Sequence, residues 1–337
     1  MTTDRALAWV ATTHRPPGPD GVVLAHDGPA NAVAPGATRA YGAGDRATPE
    51  PPDPERTCFE RDRDRILHSS AFRRLAGKTQ VFVFPRDHQR TRLTHALEVA
   101  QVAVSVARAT GLNTALTEAI ALGHDCGHGP GGHASEDAFA AYVPFDHAPW
   151  GADVTLAPLN LCAETLDGIR NHSWSRPRPA TPEAEVVSWA DRCAYTAHDL
   201  EDAVRAGIVS PADVPADVAA VCGRTRKEQL ATFVGALVAC IRETGAVGMR
   251  AEPAAALAGL RAFDYERIYT RPASVAQAES VVAVLRALVE HFAATSTADD
   301  PVRDAVAYVS GMTDRFAFET AERVVGWDPT RIPVGIA

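Results

Sequence analysis

Apolar residues recur at intervals of three and four along most of this chain, the spacing that lines one face of an α-helix. Leu93, Leu97, Ala100, Val104 and Ala107 predict a helix over 91–110 with these residues as its inner face, ended by Gly111. Ile66, Leu67, Ala71, Phe72 and Leu75 predict another over about 60–76, broken at Gly77. Asn113 or Thr114 caps a third, ALTEAIALGHD, which Gly127 ends. Thr181-Pro182, with Glu183 and Glu185 in the first turn, opens a fourth that runs to about Ala206. Its inner stripe is Val186, Trp189, Cys193, Ala197 and Leu200. Further helices fit 226–243, 254–262, 274–294 and 301–325. TQVFVF, at 79–84, is a short β-branched and aromatic run ending at Pro85. Gly and Pro crowd residues 127–160, which read as largely loop, and residues 1–55, which read as a flexible arm. No internal repeat and no βαβ alternation is found, so the fold class is mainly α with little or no sheet. A core over 56–210 and a helical C-terminal part over 211–337, packed on it, are expected.

Composition narrows the partners. The chain has 337 residues, 46% hydrophobic, enough for a sizeable core. Its formal net charge is -9, which disfavours a protein that coats nucleic acid. Residues 56–92 nevertheless hold ten Lys and Arg against four Asp and Glu, a local basic stretch suited to a small anionic ligand. The six cysteines form no C-x-x-C pair and read as buried thiols of a reducing compartment. The N-terminus lacks the pattern of a signal peptide and no segment is read as membrane-spanning, so a cytoplasmic location is expected.

The chemistry concentrates in GHDCGHGPGGHASE, residues 123–136, with three histidines and two carboxylates in fourteen positions. Adjacent side chains on a helix diverge by about 100°, so His124 and Asp125 share one ion only near a helix end. Mixed imidazole and carboxylate donors suit Mn, Mg, Fe, Co, Ni or Zn, and the sequence leaves the metal open. His133 and Glu136 are three apart, within reach on a helix. Arg92 and His95 share one helical face, and Asp191, Tyr195 and Asp199 share another.

Together with RTRLTH, KTQVF and ADRCAYTAHDLEDA, the His-Asp dyad resembles the HD superfamily of metal-dependent phosphohydrolases, and within it the deoxyguanosinetriphosphate triphosphohydrolase (dGTPase, or dNTPase) family. Matching blocks run nearly end to end, at 56–82, 88–103, 119–136, 186–208 and 309–316. The resemblance implies an HD-domain helical bundle with additional C-terminal helices. It implies hydrolysis of deoxynucleoside triphosphates to deoxynucleoside and inorganic triphosphate. It implies the metal ligands His95, His124, Asp125 and Asp191. It assigns His133 and Glu136 to the proton of the attacking water, and His147 to the departing 5′ oxygen. Gln80, Arg92, His128, Arg192, Tyr195 and Asp199 would contact substrate, with Lys78 a further candidate for the triphosphate. It also implies a homo-oligomer, with an activating nucleotide in some relatives.

Two other readings remain open from the residues. One is an HD phosphohydrolase for nucleoside monophosphates or signalling nucleotides. The other is a nucleotide- or single-strand-binding regulator with little turnover, which an intact ligand set and the acidic net charge disfavour.

Overall fold

The computed structural model describes residues 10–11, 34, 36–85 and 88–331. The chain is mainly α. Its elements are α1 (Cys58–His68), α2 (Ser70–Arg74), α3 (Arg92–Thr110), α4 (Thr114–Gly123), α5 (Ala134–Phe139), α6 (His147–Trp150) and α7 (Ala163–Arg170). They continue with α8 (Pro182–Arg205), α9 (Ala216–Cys222), α10 (Arg226–Thr244), α11 (Ala251–Asp264), α12 (Pro272–Thr295), α13 (Pro301–Ser310) and α14 (Asp314–Val325). Sheet among the described residues is limited to β1 (Val10–Ala11) paired antiparallel with β2 (Ala246–Val247).

Helix starts follow local chemistry. Thr91, Asn113 and Thr181 cap α3, α4 and α8, each side-chain oxygen accepting a backbone N–H of the first turn. Gly111 ends α3 in the left-handed conformation, at φ 74°.

Several expectations need correction. The helix expected over 60–76 is broken at Ser69. That residue is extended, and its hydroxyl accepts from Phe72 N to start α2. The helix expected over 301–325 is likewise two helices, because Thr313 is extended and caps α14. Residues 127–160 are not largely loop. They form α5 and α6, a wide π-type turn at Gly151–Thr155 and a short 3-10 turn, and Asp146 caps α6. α7 and α9 were not anticipated. The run at 79–84 forms no strand; Thr79 makes one isolated bridge with Thr91.

The inner face of α3 is also rotated from the expected one. Ala96, Val99, Ala100, Ala103, Val106 and Ala107 are buried, whereas Leu97 is 47% exposed. α3 lies against α4, α8 and α10 at once, so small residues face the close neighbours and the larger Leu97 points out. In α8 the expected stripe is buried throughout.

Two apolar clusters form. One gathers α1, α3, α4, α8 and parts of α9 to α11. The other joins α12, α13 and α14 to α5, Phe145 and Trp150. By length and composition α12 is apolar enough to cross a membrane, contrary to the sequence reading. Its residues Val281, Val284, Leu285, Leu288 and Val289 are fully buried in the second cluster.

Most of the arm expected over 1–55 lies outside the described residues. Its described part packs on the body. Thr38 donates to Glu183 through both its backbone N–H (3.0 Å) and its hydroxyl (2.7 Å). Arg46 makes a buried ion pair with Asp62 at 2.6 Å.

Candidate metal centre and nucleotide cavity

The site lies where α3, the end of α4, α6, the end of α7 and α8 converge. Thr91 fixes the start of α3, so Arg92 and His95 fall one turn apart on its inner face, both buried. His124 follows α4 directly. Its Nδ1 donates to Ala121 O at 2.7 Å, which leaves Nε2 as the lone-pair nitrogen aimed into the centre. Asp191 comes from the middle of α8.

His95 Nε2 is 3.0 Å from Asp191 Oδ1 and 3.9 Å from Asp125 Oδ2. His124 Nε2 is 3.4 Å from Asp125 Oδ1 and 3.7 Å from Asp191 Oδ1. Donors bound to one ion at about 2.1 Å lie about 3.0–3.4 Å apart along an octahedral or tetrahedral edge. Two of the four separations fall in that range and two exceed it by up to 0.5 Å; His95, His124 and Asp191 are close enough together to hold an ion, with Asp125 beside them. His124 Nε2 is buried and has no hydrogen-bond partner, a costly state for a nitrogen with no ligand. This atom carries the fit.

Asp125 is the hub. Arg92 Nη1 donates to its Oδ2 at 2.6 Å, and its Oδ1 is 3.3 Å from His128 Nε2. Burial alone would raise this carboxyl. The charges of His124, Arg92 and His128 outweigh burial and hold it well below the usual range.

Beside it sits a second group. Glu136 Oε1 accepts from His147 Nδ1 at 2.5 Å and lies 3.3 Å from His133 Nδ1. Burial pushes Glu136 up, but the bonds to His133 and His147 keep it ionised far below its ordinary range. The His133 side chain is 74% exposed and lines the cavity. His128 is stacked on His147, with ring centroids 3.7 Å apart. Burial, then the charges of Arg92 and His147, push His128 well below an ordinary imidazole. A sixth histidine, His172, was not expected. It follows α7, with Nε2 3.2 Å from His147 Nε2, and burial followed by the charges of His124 and His147 lowers it to about 3.

A cavity of about 600 Å³ opens from these groups. Arg92, Arg192 and Arg261 bring positive charge to its wall, and Gln80 and Tyr195 also line it. Arg192 lies over the Trp174 ring, 3.8 Å from the centroid, and Arg261 Nε donates to Tyr195 Oη at 2.9 Å. At another part of the wall Tyr269 donates to Asp199 Oδ2 at 2.5 Å, while burial lifts Asp199 to about 7 despite that bond. The structure thus gathers all thirteen residues singled out as metal, catalytic or substrate-binding candidates around one centre and its cavity. Lys78 is the exception among the further candidates. It is fully buried, turns away from the cavity, and donates to the carbonyls of His128 and Ser310. Arg261, Tyr269 and His172 escaped notice because each lies among other polar residues, with no spacing that ties it to the His and Asp candidates.

The chain is similar in sequence to known proteins. The HD domain family matches residues 92–196, and the phosphohydrolase-associated domain family matches 247–323. A deoxyguanosinetriphosphate triphosphohydrolase-like protein of Caldanaerobacter subterraneus subsp. tengcongensis is 39% identical, over 85% of this chain and 90% of its own. A protein of the same description from Desulfatibacillum aliphaticivorans is 37% identical, over 83% of this chain and 90% of its own. Among solved structures, a hypothetical protein from Aquifex aeolicus aligns with a TM-score of 0.50 at 17% identity. That alignment covers 77% of this chain and 67% of the other, a likeness of fold alone.

Proposed function

The chain belongs to the deoxyguanosinetriphosphate triphosphohydrolase-like family of HD-domain phosphohydrolases, and from that premise we propose that it hydrolyses deoxynucleoside triphosphates to deoxynucleoside and inorganic triphosphate. The observation that carries this reading is the continuity of one cavity, from the His and Asp cluster, past three arginines, to the Asp199–Tyr269 pair. A triphosphate is highly anionic and its sugar hydroxyl needs a polar partner, so charge at one part and a carboxyl–phenol pair at another match the two ends of such a substrate.

His95, His124, Asp125 and Asp191 would hold a divalent ion. When bound, that ion would acidify a water and neutralise phosphate charge. The remaining work falls to side chains. Arg92, already fixed against Asp125, places its guanidinium beside the α-phosphate. Arg192 and Tyr195, joined by Arg261 and by His128, carry the outer phosphates by charge and hydrogen bonding. His133, open to the cavity and steadied by ionised Glu136, takes the proton of the attacking water. Attack at the α-phosphorus then breaks its bond to the 5′ oxygen, which leaves as the deoxynucleoside hydroxyl with a proton from His147. Gln80 and Asp199 receive the sugar. Burial of Asp199 favours its protonated form, which can donate as well as accept. The metal is manganese or magnesium in this reading, and the chain assembles as a homo-oligomer, with an activating nucleotide as a further possibility of the family.

The test is product analysis. Each of the four dNTPs and GTP, singly and mixed, is incubated with the protein and Mn or Mg, and products are separated by ion exchange. Deoxynucleoside plus triphosphate is expected. Turnover confined to mixtures identifies an activating nucleotide. Orthophosphate released from monophosphates, with dNTPs left intact, overturns the assignment in favour of a monophosphate hydrolase. His124→Ala removes a proposed ligand, and turnover in that variant should fall below detection; full turnover would remove His124 from the site.

A further inference from the structure

We propose that Trp174 is the positioning residue for Arg192, holding its guanidinium by ring stacking so that the charge stays free for the outer phosphates of the substrate. The inference deepens the phosphohydrolase reading and rests on it for the identity of the anion.

The loop after α7 is stapled to α8 at one residue. Ser188 Oγ donates to His172 O at 2.6 Å, and Ser188 O accepts from Trp174 Nε1 at 3.2 Å. The Trp174 ring also meets the buried ring of Trp189 edge to face, with centroids 4.7 Å apart. Ser188 and Trp189 both belong to α8. Arg192 lies one turn beyond Ser188 on that helix, and long helical side chains lean over the turn that precedes them. It therefore emerges over a ring already fixed in place. Its guanidinium carbon stands 3.8 Å from the Trp174 centroid, in stacking contact.

What Arg192 lacks points to its use. Among the described residues no carboxylate pairs with its guanidinium, and its buried Nε has no hydrogen-bond partner. The residue is only 9% exposed. Burial lowers it below an ordinary arginine, and the charge of neighbouring Arg261 pushes the same way. A buried cation with unspent donors is costly until an anion meets it. Arg92 is the contrast, since its charge is spent on Asp125. A carboxylate would orient Arg192 too, but it would neutralise the charge and compete with phosphate for the same N–H edge. A ring face orients the planar guanidinium and leaves its in-plane donors free. Trp174 and Arg192 both line the cavity. The anion that fits is the outer part of a polyphosphate chain.

Calorimetric titration of the full chain with inorganic triphosphate, both in the same excess of Mg(II), tests this without turnover. Circular dichroism and melting curves of each variant are taken first. Trp174→Leu should weaken binding about tenfold, the order of a desolvated stacking contact. Trp174→Phe keeps a ring face and should recover most of the loss. Arg192→Ala should weaken binding about a hundredfold, and in that background Trp174→Leu should change nothing further. Such non-additivity separates positioning of Arg192 from a general role in packing. Equal losses from Trp174→Leu with and without Arg192 overturn the proposal, as does full affinity in either single variant. Should Trp174→Leu not fold, Arg192→Lys decides. Its ammonium keeps the charge but has no plane to stack, so a loss of about tenfold is expected, and unchanged affinity overturns the proposal. Failure of the unaltered chain to bind triphosphate overturns it as well. Triphosphate bound with the expected losses while dNTPs stay intact overturns the substrate assignment alone. Hydrolysis of dNTPs with affinities unmoved by the variants overturns the role of Trp174 alone.

Discussion

At the scale of single residues, buried charges of this protein are held by networks, and their removal has a definite sign. Arg46 gives Nη1 to Asp62 and to Asn160 O, each at 2.6 Å, and Nη2 to Cys58 O at 2.9 Å, while Asp62 also accepts from Cys162 N and Thr165 Oγ1. Arg46→Ala leaves Asp62 buried without its cation, which should destabilise the fold by about 3–5 kcal/mol in denaturant titration. Lys78 is the opposite case, a buried ammonium with carbonyl partners but no carboxylate bonded to it. Burial, then the charge of Arg74, lowers it to about 7 from its usual 10.5. Between those two values the unfolded chain binds a proton that the folded chain does not, so this group makes stability rise with pH through that window. Its destabilising effect is fully present below pH about 7. Lys78→Met should flatten that rise. Urea midpoints of both proteins at pH 6.5 and 8.5 check it: the unaltered protein should gain on the variant at the higher pH, and parallel curves would mean that Lys78 titrates normally.

At the scale of elements, catalytic geometry depends on backbone contact more than on helix propensity. α6 is only four residues long, and Asp146 at its cap accepts from Ala148 N at 3.0 Å. What places His147 is the contact of this short helix with Gly127, where an added Cβ would lie 2.0 Å from His147 O. Gly127→Ala should push α6 away, costing roughly 1–3 kcal/mol by overpacking and about a hundredfold in turnover if His147 moves by an ångström. Thermal melts and steady-state kinetics on the same preparation separate the two effects. A variant with unchanged kcat would show that the position of His147 is immaterial. The capped starts of α3, α4 and α8 are legible in sequence because capping is local: one side chain bonds to a backbone N–H two or three residues on. The interruptions at Ser69 and Thr313 were missed for a related reason. The same residue types sit harmlessly inside helices, and only the turn of direction required by packing makes them caps.

At the scale of the whole molecule, the proposed metal centre would join segments whose carboxylates otherwise repel. Asp125, Asp191 and Glu136 lie close together with one direct arginine among them, Arg92. Removal of bound metal with chelator should therefore lower the melting temperature, and added Mn should restore it. The restoring term is about 2.7 kcal/mol at a hundred times the dissociation constant. Calorimetric scans with and without chelator check this, and a melting temperature indifferent to metal would argue against ligation by the core. The two apolar clusters meet at the cavity, whose wall takes Arg261 from α11 and Gln277 from α12. A nucleotide bound there touches both clusters and should stabilise them together.

By itself the sequence determined the helical class, the starts of the main helices, the inner stripe of α8 and the cluster of donors at 124–136. Each is written in residues close enough along the chain to interact through a turn of helix or a short loop. The whole proposed ligand and substrate set was also legible, through resemblance rather than spacing. Tertiary structure alone decided which face of α3 is buried, because three neighbouring helices press on it and favour its alanines over Leu97. It alone brought His172 to His147, Tyr269 to Asp199 and Arg261 to Tyr195, pairs separated by 25, 70 and 66 residues. Contacts of that range are fixed by how helices pack, and packing depends on the shape of every face at once, which no local pattern records.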